Sequence, residues 1–375
     1  MCRASVNPGI FELDSDVRWC LCVGDCLAGK REYSGEHREW EYMKERQLAI
    51  CDSDSSYLRM LQAYLQKRNP ADFEILIFDT VGRALEASLE TPFEILLVGE
   101  DSYDANVAKV NASKIYILQE DGYKGITGYS MVAKYQSMEC MIAQVLEEFA
   151  RDENCGCVER RGKNQTRLIS FYSAARHRGQ SVAALGAAQV LAERGHQVLY
   201  VSMMPFTGFE ELLRTSYDSD VTDFMYFVLN HSDKLLYKLD SLKRCIHGVD
   251  YLPPALDYAD LVGISRKDWE TVMKLLQYSS DYTYIVMDLS EACQGFYDLL
   301  ENSDAVYLLT DGTSVYGRAM SSHFRRLMQA KEYDRILAHT VEFELPANWE
   351  KHCENLEDLT ASSVGSCMRG VLGET

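Results

Sequence analysis

The chain has 375 residues, 47% of them apolar and 25% charged, with only 7 Pro. This is the make-up of a globular protein of more than one domain, and it excludes long disordered or polyproline tracts. Lys and Arg number 38 against 57 Asp and Glu, a net charge of −19 that excludes broad nucleic-acid binding, because a phosphate backbone needs a positive face.

No stretch reaches the about 18 consecutive apolar residues of a membrane-spanning helix. Met1–Ser15 lacks the basic-then-apolar pattern of a secretory signal. The 12 Cys are scattered, and Cys51 and Cys293 sit in apolar, strand-like runs. Without an export signal they read as buried, reduced thiols, and a cytoplasmic location is expected.

Residues 1–42 show no clear period and hold Cys20, Cys22 and Cys26. They read as a disordered or mis-assigned extension, with Met43 as the natural start. A zinc site would need a second ligand pair, which does not follow. Residues 43–150 alternate strand and helix. Strands are expected at Gln47–Cys51, Phe73–Phe78, Glu94–Val98, Lys114–Leu118 and Ser130–Lys134, and helices at Tyr57–Gln66, Val81–Leu89 and Glu139–Phe149. Strands separated by helices imply a parallel sheet covered on both faces. Residues 151–166 are polar with two Gly and read as a linker.

A second strand–helix series fills 167–375. Strands are expected at Arg167–Tyr172, Gln197–Ser202, Tyr282–Leu289, Ala305–Thr310 and Ala338–Phe343, with a short one ending at Asp250–Pro254. Helices are expected at Ser181–Arg194, capped by Gly195, at Arg266–Ser279 and at Val315–Ala330. Residues 208–250 read as mostly helical. Within them Val221–Asn230 clusters Phe224, Met225, Phe227 and Val228 as core. The tail Ser362–Leu372 has one basic residue, too few for a membrane-binding helix. The 8 His are single, and no metallohydrolase or serine-hydrolase motif is present.

The strand–loop–helix at 168–194 is where phosphate chemistry would sit. Such a loop needs Gly for inward-pointing N–H groups, a Lys for the phosphates and a hydroxyl for Mg²⁺. The loop here runs Ser173-Ala-Ala-Arg-His-Arg-Gly-Gln-Ser181. With VLYVSMMPFTGFEELL (198–213), YLPPALDYADL (251–261), YTYIVMDLS (282–290) and DAVYLLTDGTSVYGRAM (304–320), it resembles the MinD/ParA branch of P-loop ATPases. More closely, the layout resembles the CpaE-like proteins of Flp/Tad pilus assembly, which carry a receiver-like domain first.

Their loop reads K-G-G-x-G-K-[ST]. Laid over this chain, the first Lys becomes Ala175, the two Gly become Arg176 and His177, and Gly179 is kept. The second Lys becomes Gln180, and the Mg²⁺ hydroxyl is kept as Ser181. Asp288 matches the position of the family's Mg²⁺-site aspartate. The resemblance implies ATP and Mg²⁺ as cofactors, a nucleotide-bridged homodimer, and protein partners such as a pilus or secretion ATPase. The net charge argues against nucleic acid, and the sparsely basic tail leaves membrane contact only through partners.

The departures set two readings side by side. Gly179, Gln180, Ser181, Arg176 and Arg178 are a vestigial nucleotide site, and Ser181 with Asp288 a vestigial Mg²⁺ site. Alternatively Arg176 and Arg178 replace the lost charge at the helix N-terminus.

Residues 47–150 resemble a response-regulator receiver. Asp52 and Asp54 stand at its acidic cluster and Lys134 at its lysine, while Gln119 takes the hydroxyl position. Gly99 stands where the phosphoacceptor Asp would be, so no acyl phosphate can form. Asp52 and Asp54 also suit helix caps. The expected fold is therefore α/β: a receiver-like (flavodoxin-like) parallel sheet, then a MinD/ParA-like P-loop parallel sheet. The expected function is non-catalytic regulation or scaffolding, as a pseudo-ATPase of pilus assembly or a secretion machine. The alternatives are an ATP-binding switch with weak Mg²⁺-dependent hydrolysis and a phosphorylation-independent signalling module.

Overall fold

The computed structural model describes residues 46–68, 73–120, 126–152, 166–352 and 356–373. The Cys20–Cys26 cluster, Met43 and most of the 151–166 linker lie outside them. Glu45–Thr375 form one compact unit that holds two sheets.

The first sheet is built by β1 (Gln47–Cys51), α1 (Ser55–Arg68), β2 (Glu74–Phe78), α2 (Val81–Glu90), β3 (Phe93–Gly99), β4 (Ala112–Gln119), β5 (Ser130–Ala133) and α3 (Met138–Arg151). Its order β2-β1-β3-β4-β5, parallel throughout, is the flavodoxin-like order. The apolar runs QLAIC and FEILLVG are buried on both faces, as a doubly covered parallel sheet requires. Between β3 and β4 the chain makes only two 3-10 turns, Glu100–Ser102 and Val107–Lys109.

The second sheet begins with β6 (Arg167–Tyr172), α4 (Gln180–Glu193), β7 (Val198–Ser202), α5 (Phe209–Leu213), α6 (Val221–Asn230) and α7 (Leu235–Leu242). Then come β8 (Arg244–Ile246), β9 (Val249–Tyr251), α8 (Tyr258–Gly263), α9 (Arg266–Ser279) and β10 (Tyr284–Asp288). It closes with α10 (Phe296–Asn302), β11 (Ala305–Leu309), α11 (Val315–Ala330), α12 (Asp334–Ala338), β12 (Thr340–Phe343) and α13 (Ser363–Leu372). The order is β12-β11-β6-β10-β7-β9-β8, so β6 and β10 lie side by side at the centre.

One expectation is corrected. The sheet is not wholly parallel, because β8 runs antiparallel to β9 in a hairpin within the stretch read as mostly helical. Its turn is His247-Gly248, both at positive φ (46° and 79°), the backbone of a tight two-residue hairpin turn.

Helix α4 is apolar nearly all round, so it must be covered on its outer side too. Val364, Met368 and Leu372 of α13 do this. The buried Gln189 side chain accepts from the Leu359 N–H at 2.7 Å and donates to the Leu356 carbonyl at 2.9 Å, which fixes the chain leading into α13. The tail is thus part of the core. No helix among the described residues is long and apolar enough to cross a membrane.

The two sheets share a buried joint. Tyr237 of α7 is 0% exposed and lies in the core of the first sheet, its ring 5.0 Å from that of Phe149. Its hydroxyl donates to Glu94 at 2.8 Å, and Glu94 pairs with Arg46 at 2.8 Å. The Arg46 guanidinium lies 4.6 Å from the Phe73 and Tyr237 ring centroids. Lys238 pairs with Glu147 of α3 at 3.1 Å. Nothing in the sequence pattern singles out Tyr237.

Candidate functional site

Strand β6 delivers the chain into the loop Ser173–Gly179, and α4 starts at Gln180. Arg176 holds a left-handed backbone, φ 53°, where a Gly would sit without strain. For a non-Gly residue this costs about 1–2 kcal/mol.

Four N–H donors of the loop and the helix start are satisfied within it. The Arg176 N–H donates to the Ser173 carbonyl (2.9 Å) and the His177 N–H to the Ser173 hydroxyl (3.2 Å). The Gly179 N–H donates to His177 Nδ1 (3.0 Å), and the Gln180 N–H to the His177 carbonyl (3.1 Å). In a phosphate-binding loop such groups point at the ligand. Here the His177 ring occupies the Gly179 donor.

Position 180 faces inward. Gln180 is 4% exposed, and its amide donates to Asp288 Oδ1 at 2.7 Å and to the Leu289 carbonyl at 2.8 Å. Asp288 ends β10 opposite Phe171 of β6 and Ser202 of β7, which aims it at the start of α4. It is 0% exposed, and Oδ2 accepts from the Tyr200 hydroxyl at 3.1 Å. Burial raises its carboxyl above the usual range, and hydrogen bonds from Ser181, Gln180, Tyr200 and Ser202 pull it back. Tyr200 was not singled out from sequence. Its signal was only its place one strand away from Asp288.

Arg176 and Arg178 point outward and are exposed. Arg176 lies 3.8 Å from Glu291, and Arg178 pairs with Glu350 at 2.7 Å. Both border a cleft of about 830 Å³ at the carboxyl end of the sheet. Its lining also includes Phe206, 84% exposed, which stacks on Tyr258 with centroids 6.4 Å apart. As placed, these residues do not fit a magnesium-bound triphosphate. Both carboxylate oxygens of Asp288 are engaged out of solvent, position 180 carries no cation, and the Arg176, His177 and Gly179 N–H donors are taken up within the loop.

His177 supplies one test. Burial lowers its pKa below the ordinary 6.5, against the opposing pull of Asp311 and with the help of nearby Arg178. The unfolded chain therefore binds a proton more readily, so this stability is full above about pH 6.5 and is lost as pH falls through the folded value. Protonation also removes the acceptor of the Gly179 N–H. We expect the Gly179 amide to lose hydrogen-exchange protection on acidification, and His177→Ala to lose it at every pH. Unchanged protection in either case contradicts the contact.

The receiver-like pocket is closed by its own charges. Lys134 pairs with Asp52 at 2.8 Å and with Glu120 at 2.7 Å, and it is buried. The Asp52 carboxylate fills the space beside Gly99: a Cβ there would overlap Oδ2 and lie 2.8 Å from Cγ. Asp54 is apart from this group. Its Oδ1 accepts from the Ser56 and Tyr57 N–H groups at 2.8 and 3.1 Å, which caps α1 and lowers its pKa. The acidic pair therefore divides into an ion-pair partner and a helix cap. Glu100, buried, accepts from the Glu120 N–H at 2.9 Å. Neither Glu100 nor Glu120 is marked out by the sequence pattern.

Comparison with known proteins gives likeness in structure only. The chain is similar to a ParA family ATPase from Chlorobium tepidum TLS, with 16% identity, a TM-score of 0.44, and 54% of this chain and 97% of that one covered. It is similar to the Aquifex aeolicus MinC:MinD cell division protein complex, with 13% identity, a TM-score of 0.38, and 56% and 97% covered. It is also similar to cobyrinic acid a,c-diamide synthase from Mycobacterium smegmatis, with 13% identity, a TM-score of 0.36, and 56% and 82% covered. The likeness is one of fold. No family model and no curated protein sequence matches. The α/β architecture itself rests on the strand orders above.

Proposed function

We propose that the chain is a regulatory or scaffolding protein of the MinD/ParA type in which the nucleotide site serves as a structural joint. The observation that carries this is the Gln180 amide 2.7 Å from the buried Asp288. The two groups that would handle phosphate and Mg²⁺ hold each other instead. Ser181, Gly179 and the β6–α4 turn are then vestiges of the site, and Arg176 and Arg178 are rim residues. The receiver-like sheet serves as a fixed interaction module. Pilus assembly or placement of a secretion machine is the process that the CpaE-like resemblance suggests, with a pilus or secretion ATPase as partner.

A second reading, an ATP-binding switch, draws on the cleft, since a lining that includes Arg176, Arg178, Phe206 and Tyr258 suits an anionic, ring-bearing ligand. Assembly separates the two. Light scattering is expected to give one mass with or without ATP and Mg²⁺. An ATP-dependent shift from monomer to dimer would select the switch.

A further inference from the structure

The outer face of α11 carries several exposed apolar side chains on one helix. Gly317, Ser321, Phe324 and Met328 turn inward at helical spacing. On the other side Val315 is 70%, Tyr316 80% and Met320 49% exposed. At 3.6 residues per turn, Ala319 and His323 fall on the same stripe, and both are exposed. The stripe runs along one helix at a spacing suited to meeting another helix.

Its charge is one-sided as well. Residues 315–330 contain Arg318, Arg325 and Arg326 and no acidic residue, in a chain of net charge −19. Arg325 is bound to Glu342 of β12, while Arg326 is exposed at the end of the stripe.

From this geometry we infer that α11 docks an acidic amphipathic helix of a partner protein, its apolar stripe against Val315, Tyr316 and Met320 and its carboxylates toward Arg326 and Arg318. Charge selects among the occupants. A second copy pairing α11 with α11 would bring like charges together. An anionic bilayer would meet the whole acidic surface, whereas a single helix meets only this face. The inference is independent of the reading of the nucleotide site.

The test uses the full chain and two synthetic amphipathic helices with the same Leu stripe, one flanked by Glu and its twin by Lys. Binding is read by fluorescence anisotropy, with phosphatidylglycerol vesicles and light scattering alongside. The Glu-flanked helix is expected to bind in preference to its twin. Tyr316→Ala should weaken it about tenfold or more, as for an aromatic anchor, and Arg326→Glu should reverse the preference. Equal binding of the two helices, binding of neither, vesicle binding abolished by Tyr316→Ala, or self-association abolished by it would each overturn the proposal.

Discussion

Tyr237→Ala is expected to destabilise the protein by about 3–5 kcal/mol, the usual cost of truncating a buried aromatic. The ring is fully buried in the core of a sheet other than its own, against Phe149 and Phe73. The cavity would open at the joint between the sheets, and Glu94 would lose a donor. Tyr237→Phe keeps the ring and removes only the 2.8 Å hydrogen bond to Glu94, so about 1.5–3 kcal/mol is expected, as for a hydrogen bond to a charged group. Denaturant unfolding measures both. For Tyr237→Ala we expect two transitions in place of one, since the ring that α7 buries in the first sheet's core is lost. A single transition with unchanged midpoint would show that the sheets are coupled elsewhere.

Gly99→Asp, the change that would restore a phosphoacceptor by sequence logic, is expected to fail. The space is filled by the Asp52 carboxylate, and Lys134 holds that carboxylate at 2.8 Å. Gly99→Ala should already cost about 1–3 kcal/mol through overpacking. Gly99→Asp adds a second carboxylate beside a buried ion pair, and about 3–5 kcal/mol is expected. Incubation with acetyl phosphate should leave the variant unphosphorylated. A stable Gly99→Asp protein that gains an acid-labile phosphate would show that Asp52 can swing away.

Much of the fold is legible in the sequence because long periodic segments carry their own signal. β6, α9 and α11 fall at the expected residues, and Gly195 follows α4 with φ 87°, as a C-terminal cap should. β9 lies at the start of the short strand expected to end at Asp250–Pro254, but β8 and its pairing escaped because both strands are three residues long and the turn is His-Gly rather than Asn-Gly. In the site, the loss of Lys at 180 is plain from sequence, but the direction of Gln180 is not. That direction depends on Asp288 and Tyr200, brought in by two other strands. The role of His177 is equally hidden, since its ring folds back on a neighbouring N–H. The division of Asp52 from Asp54 follows from Lys134, which is far away in sequence and reaches only one of them.

The central claim is that Asp288 and Gln180 satisfy each other and leave nothing for a magnesium nucleotide. Titration of the full-length chain with a fluorescent ATP analogue, with and without Mg²⁺, tests it most directly. The account predicts no Mg²⁺-dependent binding, whatever weak binding the arginines at the cleft supply. Tight binding that requires Mg²⁺ and is lost in Asp288→Asn would contradict it.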